Sequence, residues 1–335
     1  VTVVPRDAVR PTTLVGRLPV KGFATMEFWL HPDGRHGYLS TLGDRVYAID
    51  LSDPAAPVLK QLLPSGVSPE GMVAIPQRSL LASANEVDLV EDGGVRAHVM
   101  IYERAEGPAA YPMITSAGSA DLIGWGALSG LAADPAEAGK LFAVSDSVYG
   151  AAPVIYSIDA TQTPARITSS LLVTRGGDAA QKLDLEGIAT DGEGGFWLAS
   201  EGRSDKLVPH ALLHVNAEGE IKEEIALPEA LLDNEIRFGF EGVAVSGNTV
   251  WLAVQREWQD DPKGMVKLLA YDTEAKTWGA VHYPLDAPGE GAWMGLSEIT
   301  LHGDWAYIVE RDNQIGAAAV TKKLYRVKRT DMTPV

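Results

Sequence analysis

The sequence predicts an all-β fold, a six-bladed β-propeller of four-stranded blades forming one domain over residues 1–335, and three observations carry that prediction. One pattern recurs six times at intervals of roughly 45–60 residues, a period that belongs to propeller blades. Each copy consists of short apolar runs rich in β-branched and aromatic residues, the composition of strands. The runs are punctuated by turn formers, and the 34 Gly and 20 Pro suit a chain that reverses often.

Two neighbouring copies show the pattern best. Leu185-Glu186-Gly187-Ile188-Ala189-Thr190 is followed by Gly195-Phe196-Trp197-Leu198-Ala199-Ser200-Glu201 and then by His210-Ala211-Leu212-Leu213-His214-Val215. The next copy runs through Phe240-Glu241-Gly242-Val243-Ala244-Val245, Thr249-Val250-Trp251-Leu252-Ala253-Val254-Gln255 and Lys267-Leu268-Leu269-Ala270-Tyr271-Asp272. Further copies begin at Pro69-Glu70-Gly71, Leu128-Ser129-Gly130 and Leu296-Ser297-Glu298, and the loosest begins at Met26-Glu27-Phe28. The last copy has three clear strands. Its outer strand is expected from Thr12–Leu18, which would close the ring with chain from both ends and protect the edges. A degenerate seventh blade is the alternative.

Composition narrows the functions. Hydrophobic residues make up 46% of the chain, enough for a sizeable core, and the formal net charge is −17. A chain this acidic is poorly suited to nucleic acid or to anionic membrane, and suits a protein that holds cations. There is no cysteine, which excludes disulfides, thiolate metal sites and a cysteine nucleophile. No apolar run approaches the ~20 residues of a membrane-spanning helix. The expectation is a monomer, periplasmic or extracellular, with its signal peptide removed.

Propeller geometry turns the repeat into a site. The first strand of each blade lies innermost and the second runs antiparallel to it. The residue opening the first strand and the residue closing the second therefore meet at one end of the ring. The openers are Glu27, Glu70, Ser129, Glu186, Glu241 and Ser297, and the closers are Thr41, Glu86, Asp146, Glu201, Gln255 and Glu310. Eight of these twelve are acidic. Carboxylates gathered this closely repel one another, and burying them unpaired is costly. A divalent cation, Ca²⁺ above all, would offset them, since it takes about six to eight oxygen ligands. The expected metal ligands are Glu27, Glu70, Glu86, Asp146, Glu186, Glu201, Glu241 and Glu310. Arg203, Arg256 and Arg311 follow the closers at short spacing and can pair carboxylates or hold an anionic substrate by two-point contacts. The structural alternative is that the acids cap strands and bind channel water, and that Gly after Glu merely supplies a bend.

Other constellations are weaker. His210 follows Val208-Pro209 and is a candidate base, though a lone His is more often structural. The remaining histidines lack metal-ligand spacing, and neither a Gly-x-Ser-x-Gly elbow nor a phosphate-binding loop is present. Trp29, Trp197, Trp251 and Trp305 lie within strands and read as core. Trp125, Trp258 and Trp293 fall in or near loops, where one can line a pocket.

The segments Asp184-Leu185-Glu186-Gly187-Ile188-Ala189, Gly195 to Glu201, Gly239-Phe240-Glu241-Gly242-Val243-Ala244 and Val309-Glu310-Arg311-Asp312 occur in this order. Together they resemble the bacterial family described as having esterase-like activity of phytase, over about residues 120–330. The resemblance implies a propeller, usually exported, with hydrolysis of phosphoesters or related esters. Gln255, Ser129 and Ser297 depart from an all-acid pattern, which implies a lopsided cation site.

These readings combine into a Ca²⁺-dependent hydrolase of small anionic esters. Glu186, Glu201, Glu241 and Glu310 would hold metal, Arg203, Arg256 and Arg311 would bind the anion, and a free carboxylate (Glu186 or Glu241) or His210 would act as base. A lactonase-type propeller hydrolase and a non-catalytic scaffold with structural Ca²⁺ are the alternatives.

Overall fold

The computed structural model describes residues 2–3, 14–20, 24–92, 94–107, 113–162, 164–202, 207–235, 237–315 and 318–335. Their contacts group into two compact units, residues 1–113 and 114–335.

Each of the six sequence copies forms one antiparallel sheet. In the first unit, Thr25–Leu30, His36–Thr41, Arg45–Asp50 and Val58–Pro64 pair in chain order as the first sheet. Pro69–Ile75, Leu80–Asn85 and His98–Glu103 form the second. In the second unit, the third sheet is Leu128–Ala133, Lys140–Ser145, Val154–Asp159 and Ala165–Leu172, with Ile114–Thr115 added in parallel at its edge. The fourth is Leu185–Thr190, Phe196–Ser200, Ala211–Val215 and Ile221–Ala226. The fifth is Phe240–Ser246, Thr249–Val254, Met265–Asp272 and Thr277–Pro284. The sixth is Met294–His302, Trp305–Asp312 and Lys322–Lys328.

The sheets have β-propeller order. Within the second unit the first strand of each sheet packs on the first strand of the next, from Leu128–Ala133 through Leu185–Thr190 and Phe240–Ser246 to Met294–His302. In the first unit Thr25–Leu30 packs on Pro69–Ile75 in the same way. Between sheets the apolar faces close over each other, so Leu198, Leu212, Phe240, Leu252, Leu268 and Ile308 have virtually no exposure. Each such side chain contributes about 1.5–3 kcal/mol relative to an exposed one. Trp197 and Trp251 are buried, as expected of core residues.

The expected outer strand of the last sheet is a point of difference. Among the described residues that sheet has three strands. Gly16–Arg17, the strand within the expected Thr12–Leu18, pairs instead with Thr2–Val3. Thr12 and Thr13 lie outside the described residues.

Two features position the site. The pairing of first and second strands slips at one place in all six sheets, and the slip falls on the opener each time. The shifts lie between Thr25 and Phe28, Pro69 and Gly71, Leu128 and Gly130, Leu185 and Gly187, Phe240 and Val243, and Leu296 and Glu298. A bulge leaves its extra residue unpaired and re-aims its side chain. Second, the glycine after the opener makes room for the neighbouring sheet. A Cβ on Gly187 would lie 2.3 Å from the Glu241 carbonyl oxygen, and one on Gly242 would lie 2.3 Å from the Ile299 nitrogen. Neither glycine has a positive φ. The Glu-Gly pair therefore serves close approach of inner strands, not the bend that the sequence suggested.

Candidate functional site

The bulges of the second unit converge on one cavity of about 630 Å³. It is lined by the openers Ser129, Glu186, Glu241 and Ser297, by the closers Glu201 and Gln255, and by Leu128, Phe238, Trp293, Arg311 and Asn313. Openers and closers meet here because the antiparallel pairing brings the start of one strand against the end of the next. Leu185 pairs with Ser200, the Glu201 N–H donates to the Asp184 carbonyl just beyond that pair, and Glu186 is the bulged residue beside it.

Carboxylates dominate one part of the wall. Asp184, Glu186 and Glu201 each offer an oxygen, and the three oxygens lie within 4.8 Å of one another. Asp184 is buried and oriented by backbone contacts, accepting from the Ser147 N–H at 2.8 Å. Glu186 accepts from the Ser129 hydroxyl. Burial, reinforced by the charges of Asp184, Glu201 and Asp146, pushes the Glu186 pKa up to about 7 despite that hydrogen bond. Glu241 is buried more deeply and accepts from the Gln255 amide. Burial and the nearby Glu186 and Glu201 push its pKa up to about 9, against the opposing pull of Arg311 and Gln255. Gln255 is itself buried, and its Oε1 has no hydrogen-bond partner among the described residues.

This donor set fits a hard cation. Every ligand atom is oxygen, with no imidazole or thiolate, which disfavours zinc and suits Ca²⁺ or Mg²⁺. Burial and mutual repulsion push the Glu186 and Glu241 pKa values up, and the buried Gln255 Oε1 has no hydrogen-bond partner among the described residues.

The expected residues divide into those the cavity gathers and those it does not. Glu186, Glu201, Glu241 and Arg311 line it. Asp146 is adjacent through its charge on Glu186, while its own carboxylate accepts from the Val148 N–H at 2.7 Å and caps the short turn Ser147–Tyr149. Glu310 is outside. It is fully buried on the other face of its strand, accepting from Tyr283 Oη at 3.1 Å and from the Asp286 N–H at 2.6 Å. Register explains this: Glu310 pairs with Leu296 as Ser200 pairs with Leu185, so Arg311, one residue later, holds the place of Glu201. A one-residue step reverses the face. Thr41, paired with Thr25, is likewise the counterpart of Ser200.

His210 does not line the cavity. Its ring is buried between Gly202 and Gly239, where a Cβ on either glycine would lie 2.2 Å and 1.9 Å from ring atoms. Nδ1 accepts from the Gly202 N–H at 3.0 Å, which puts the ring proton on Nε2, 3.1 Å from Glu235 Oε2. Burial lowers its pKa to about 4. This is a packed structural imidazole, not a base at the cavity. Arg256 is not among the lining residues; its guanidinium lies 4.9 Å from the Phe238 ring centre and 4.3 Å from that of Trp293. Arg203 lies outside the described residues.

In the first unit, Glu27 accepts from the Met72 N–H of the adjacent inner strand. Glu70 and Glu86 are exposed neighbours, and repulsion from Glu86 raises the Glu70 pKa.

Leu128, Phe238, Trp293 and Asn313 line the cavity, and Asp184 joins the carboxylates, outside the opener and closer positions. Asp184 immediately precedes the Leu185-Glu186-Gly187 motif, and that adjacency was its signal. Trp293 was marked only as a loop tryptophan. Phe238 and Asn313 sit in connections whose sequence carries no repeat.

The family described as "Phytase-like: Esterase-like activity of phytase" matches residues 123–335, more than half of the chain. The chain belongs to this phytase-like family. Its match spans the whole carboxylate cavity, from Leu128 to Asn313. No curated protein sequence matches. Solved structures similar in part include Saccharomyces cerevisiae Sqt1, at 12% identity and a TM-score of 0.41, covering 100% of this chain and 78% of that one. The β-propeller domain of Myceliophteria thermophila Cps50 (Swd1) matches at 11% identity and a TM-score of 0.34, covering 94% and 86%. A functionally unknown protein from Desulfotomaculum acetoxidans matches at 12% identity and a TM-score of 0.31, covering 92% and 88%. At these scores the fold of the phytase-like chain rests on its own sheets.

Proposed function

We propose that this phytase-like chain is a hydrolase of small phosphoesters or related anionic esters, dependent on a divalent cation, with Ca²⁺ the best fit to the donors. The observation that supports it most is the convergence of Asp184, Glu186 and Glu201 within 4.8 Å, with both glutamates lining the cavity that also holds Arg311.

Asp184, Glu186 and Glu201 would hold the cation, with Ser129 and Gln255 as neutral oxygens nearby. A cation there supplies charge neutralisation of a phosphoryl or carbonyl oxygen and acidifies bound water. The chain's own groups divide the remaining work. Arg311 presents a fixed guanidinium to the anionic part of the substrate, its Nε donating to Ser297 Oγ at 2.9 Å. Glu241, whose pKa burial pushes upward, lines the same cavity and is the group placed to donate a hydrogen bond and a proton to a leaving oxygen. Burial around it keeps bulk water from screening these contacts.

The test is hydrolysis of an aryl phosphate and of a carboxylic aryl ester, assayed after chelation and after Ca²⁺ or Mg²⁺ return. Activity restored by the cation and lost in Glu201→Gln supports the reading. Hydrolysis indifferent to chelation, or none with either ester when Ca²⁺ is bound, overturns it. Binding of Ca²⁺ without activity would leave a scaffold.

A further inference from the structure

The cavity has a second wall that the hydrolase reading does not use. Phe238 and Trp293 both line it, with ring centres 5.4 Å apart and planes tilted by 45°. Phe238 holds φ at 63°, the left-handed region that bulky residues avoid. Such strain, of order 1–3 kcal/mol, persists where surrounding structure imposes it, and it gathers at binding sites. Arg256 touches both rings, 4.9 Å from the Phe238 centre and 4.3 Å from that of Trp293, and ties them together. Arg237 adds a contact to Phe238 at 4.7 Å, and Arg311 one to Trp293 at 5.1 Å. The pair is thus braced by guanidinium groups, which bind aromatic faces by cation–π attraction. Leu128 adds the remaining apolar lining.

We propose that Phe238 and Trp293 form the subsite for the organic portion of the ester, and that this portion is flat and aromatic. This rests on the proposed function, in which the anionic group is held by Arg311 and by a cation at the carboxylates. The distance logic is short. Arg311 touches both Ser297 and the Trp293 ring, so an anion at its guanidinium places the attached group against the aromatic pair. A rigid tilted pair of rings rewards a planar group by offset or edge contacts, worth about 0.5–1.5 kcal/mol beyond area burial. A polyol offers hydroxyls that this wall cannot satisfy, and desolvating them costs free energy. The chain is therefore built for aryl monoesters over polyol phosphates.

The test uses non-hydrolysable probes, so that binding is read apart from turnover. Phenylphosphonate and methylphosphonate are titrated calorimetrically into the Ca²⁺-loaded protein, and the ratio of their dissociation constants is compared among variants. Wild type should prefer phenylphosphonate by about tenfold or more. Phe238→Gly removes the ring while leaving a residue at ease with φ near 63°, so it separates ring loss from backbone strain. Phe238→Gly and Trp293→Leu should each reduce the preference at least about threefold. Arg256→Gln should reduce it too, since the pair loses the group that ties it together. An unchanged ratio in folded Phe238→Gly and Trp293→Leu, or no preference in wild type, overturns the subsite. Preference that survives while hydrolysis proves indifferent to cations supports the subsite and sinks only the hydrolase reading.

Discussion

Arg311 Nε donates to Ser297 Oγ at 2.9 Å, so the residue closing one strand of the sixth sheet is fastened to the bulged residue opening the other. In the fifth sheet the matching pair is Gln255 and Glu241, and in the fourth it is Glu201 and Glu186. The same backbone device, a bulge opposite a strand end, thus presents two acids, then an acid and an amide, then a hydroxyl and a guanidinium. The cavity's change from a carboxylate-rich side to a guanidinium-bearing side follows from substitution at two register positions.

Removing that guanidinium should cost substrate affinity in particular. Arg311→Gln is expected to raise KM by about tenfold or more, since hydrogen bonds to charged groups contribute about 1.5–3 kcal/mol. Ser297→Ala leaves the charge and loosens only its aim, so a smaller rise is expected. Steady-state kinetics on one aryl phosphate checks both. A larger defect in Ser297→Ala than in Arg311→Gln would show that the hydroxyl, not the guanidinium, meets substrate.

Cation binding should be visible as stability. A ligand at 100 times its Kd adds about 2.7 kcal/mol to the folded state, and each kcal/mol moves the Tm of a domain this size by about 2–4 °C. Ca²⁺ is therefore expected to raise the Tm by roughly 5–10 °C, and Glu201→Gln and Asp184→Asn to abolish most of that rise. Glu310→Gln should behave differently. It disturbs the bonds to Tyr283 and Asp286, lowering the Tm with or without Ca²⁺, and leaves the cation-dependent increment intact. Scanning calorimetry with and without chelator separates the two outcomes.

The strands were legible because their apolar runs repeat, and the acids of the fourth and fifth sheets were legible because Glu-Gly marks the opener. What the sequence concealed was register. Glu310 ends an apolar run much as Glu201 does, yet the pairing of Leu296 with Glu310 puts it on the buried face. Only backbone pairing fixes that parity. His210 was ambiguous for another reason: the two glycines that enclose it, Gly202 and Gly239, are eight and twenty-nine residues away in opposite directions. Phe238 and Trp293 come together from separate loops, and no local spacing announces such a pair.

The inner glycines make a sharp packing prediction. Gly187→Ala drives a methyl to 2.3 Å from the Glu241 carbonyl oxygen, and Gly242→Ala drives one to 2.3 Å from the Ile299 nitrogen. Backbone atoms of a neighbouring sheet cannot step aside as a side chain can. Overpacking typically costs about 1–3 kcal/mol and more where backbone must move, so a loss of about 3 kcal/mol is expected for each. Denaturant unfolding measures it. A loss below about 0.5 kcal/mol, the range of ordinary surface changes, would mean that the inner strands are not so closely apposed.

His210 should leave a signature in the pH dependence of stability. Its pKa is about 4 in the folded chain because burial penalises the imidazolium, against 6.5 for the free side chain. Between those values the unfolded chain binds a proton that the folded chain does not, so stability rises with pH. The contribution is whole above about pH 6.5 and is lost as pH falls toward 4, by at most about 3 kcal/mol. Glu298 acts in the opposite sense. Burial raises its folded pKa to about 7 from 4.5, so its contribution is present below 4.5 and lost as pH rises through about 7. The raw curve therefore mixes both slopes, and the informative quantity is the difference between wild type and His210→Gln. That difference should widen from pH 4 to pH 6.5 and be flat above, while Glu298→Gln should stabilise the protein most at pH 8. Parallel unfolding curves for wild type and His210→Gln across pH 4–6.5 would mean that the imidazole is protonated in the fold, paired as a cation with Glu235.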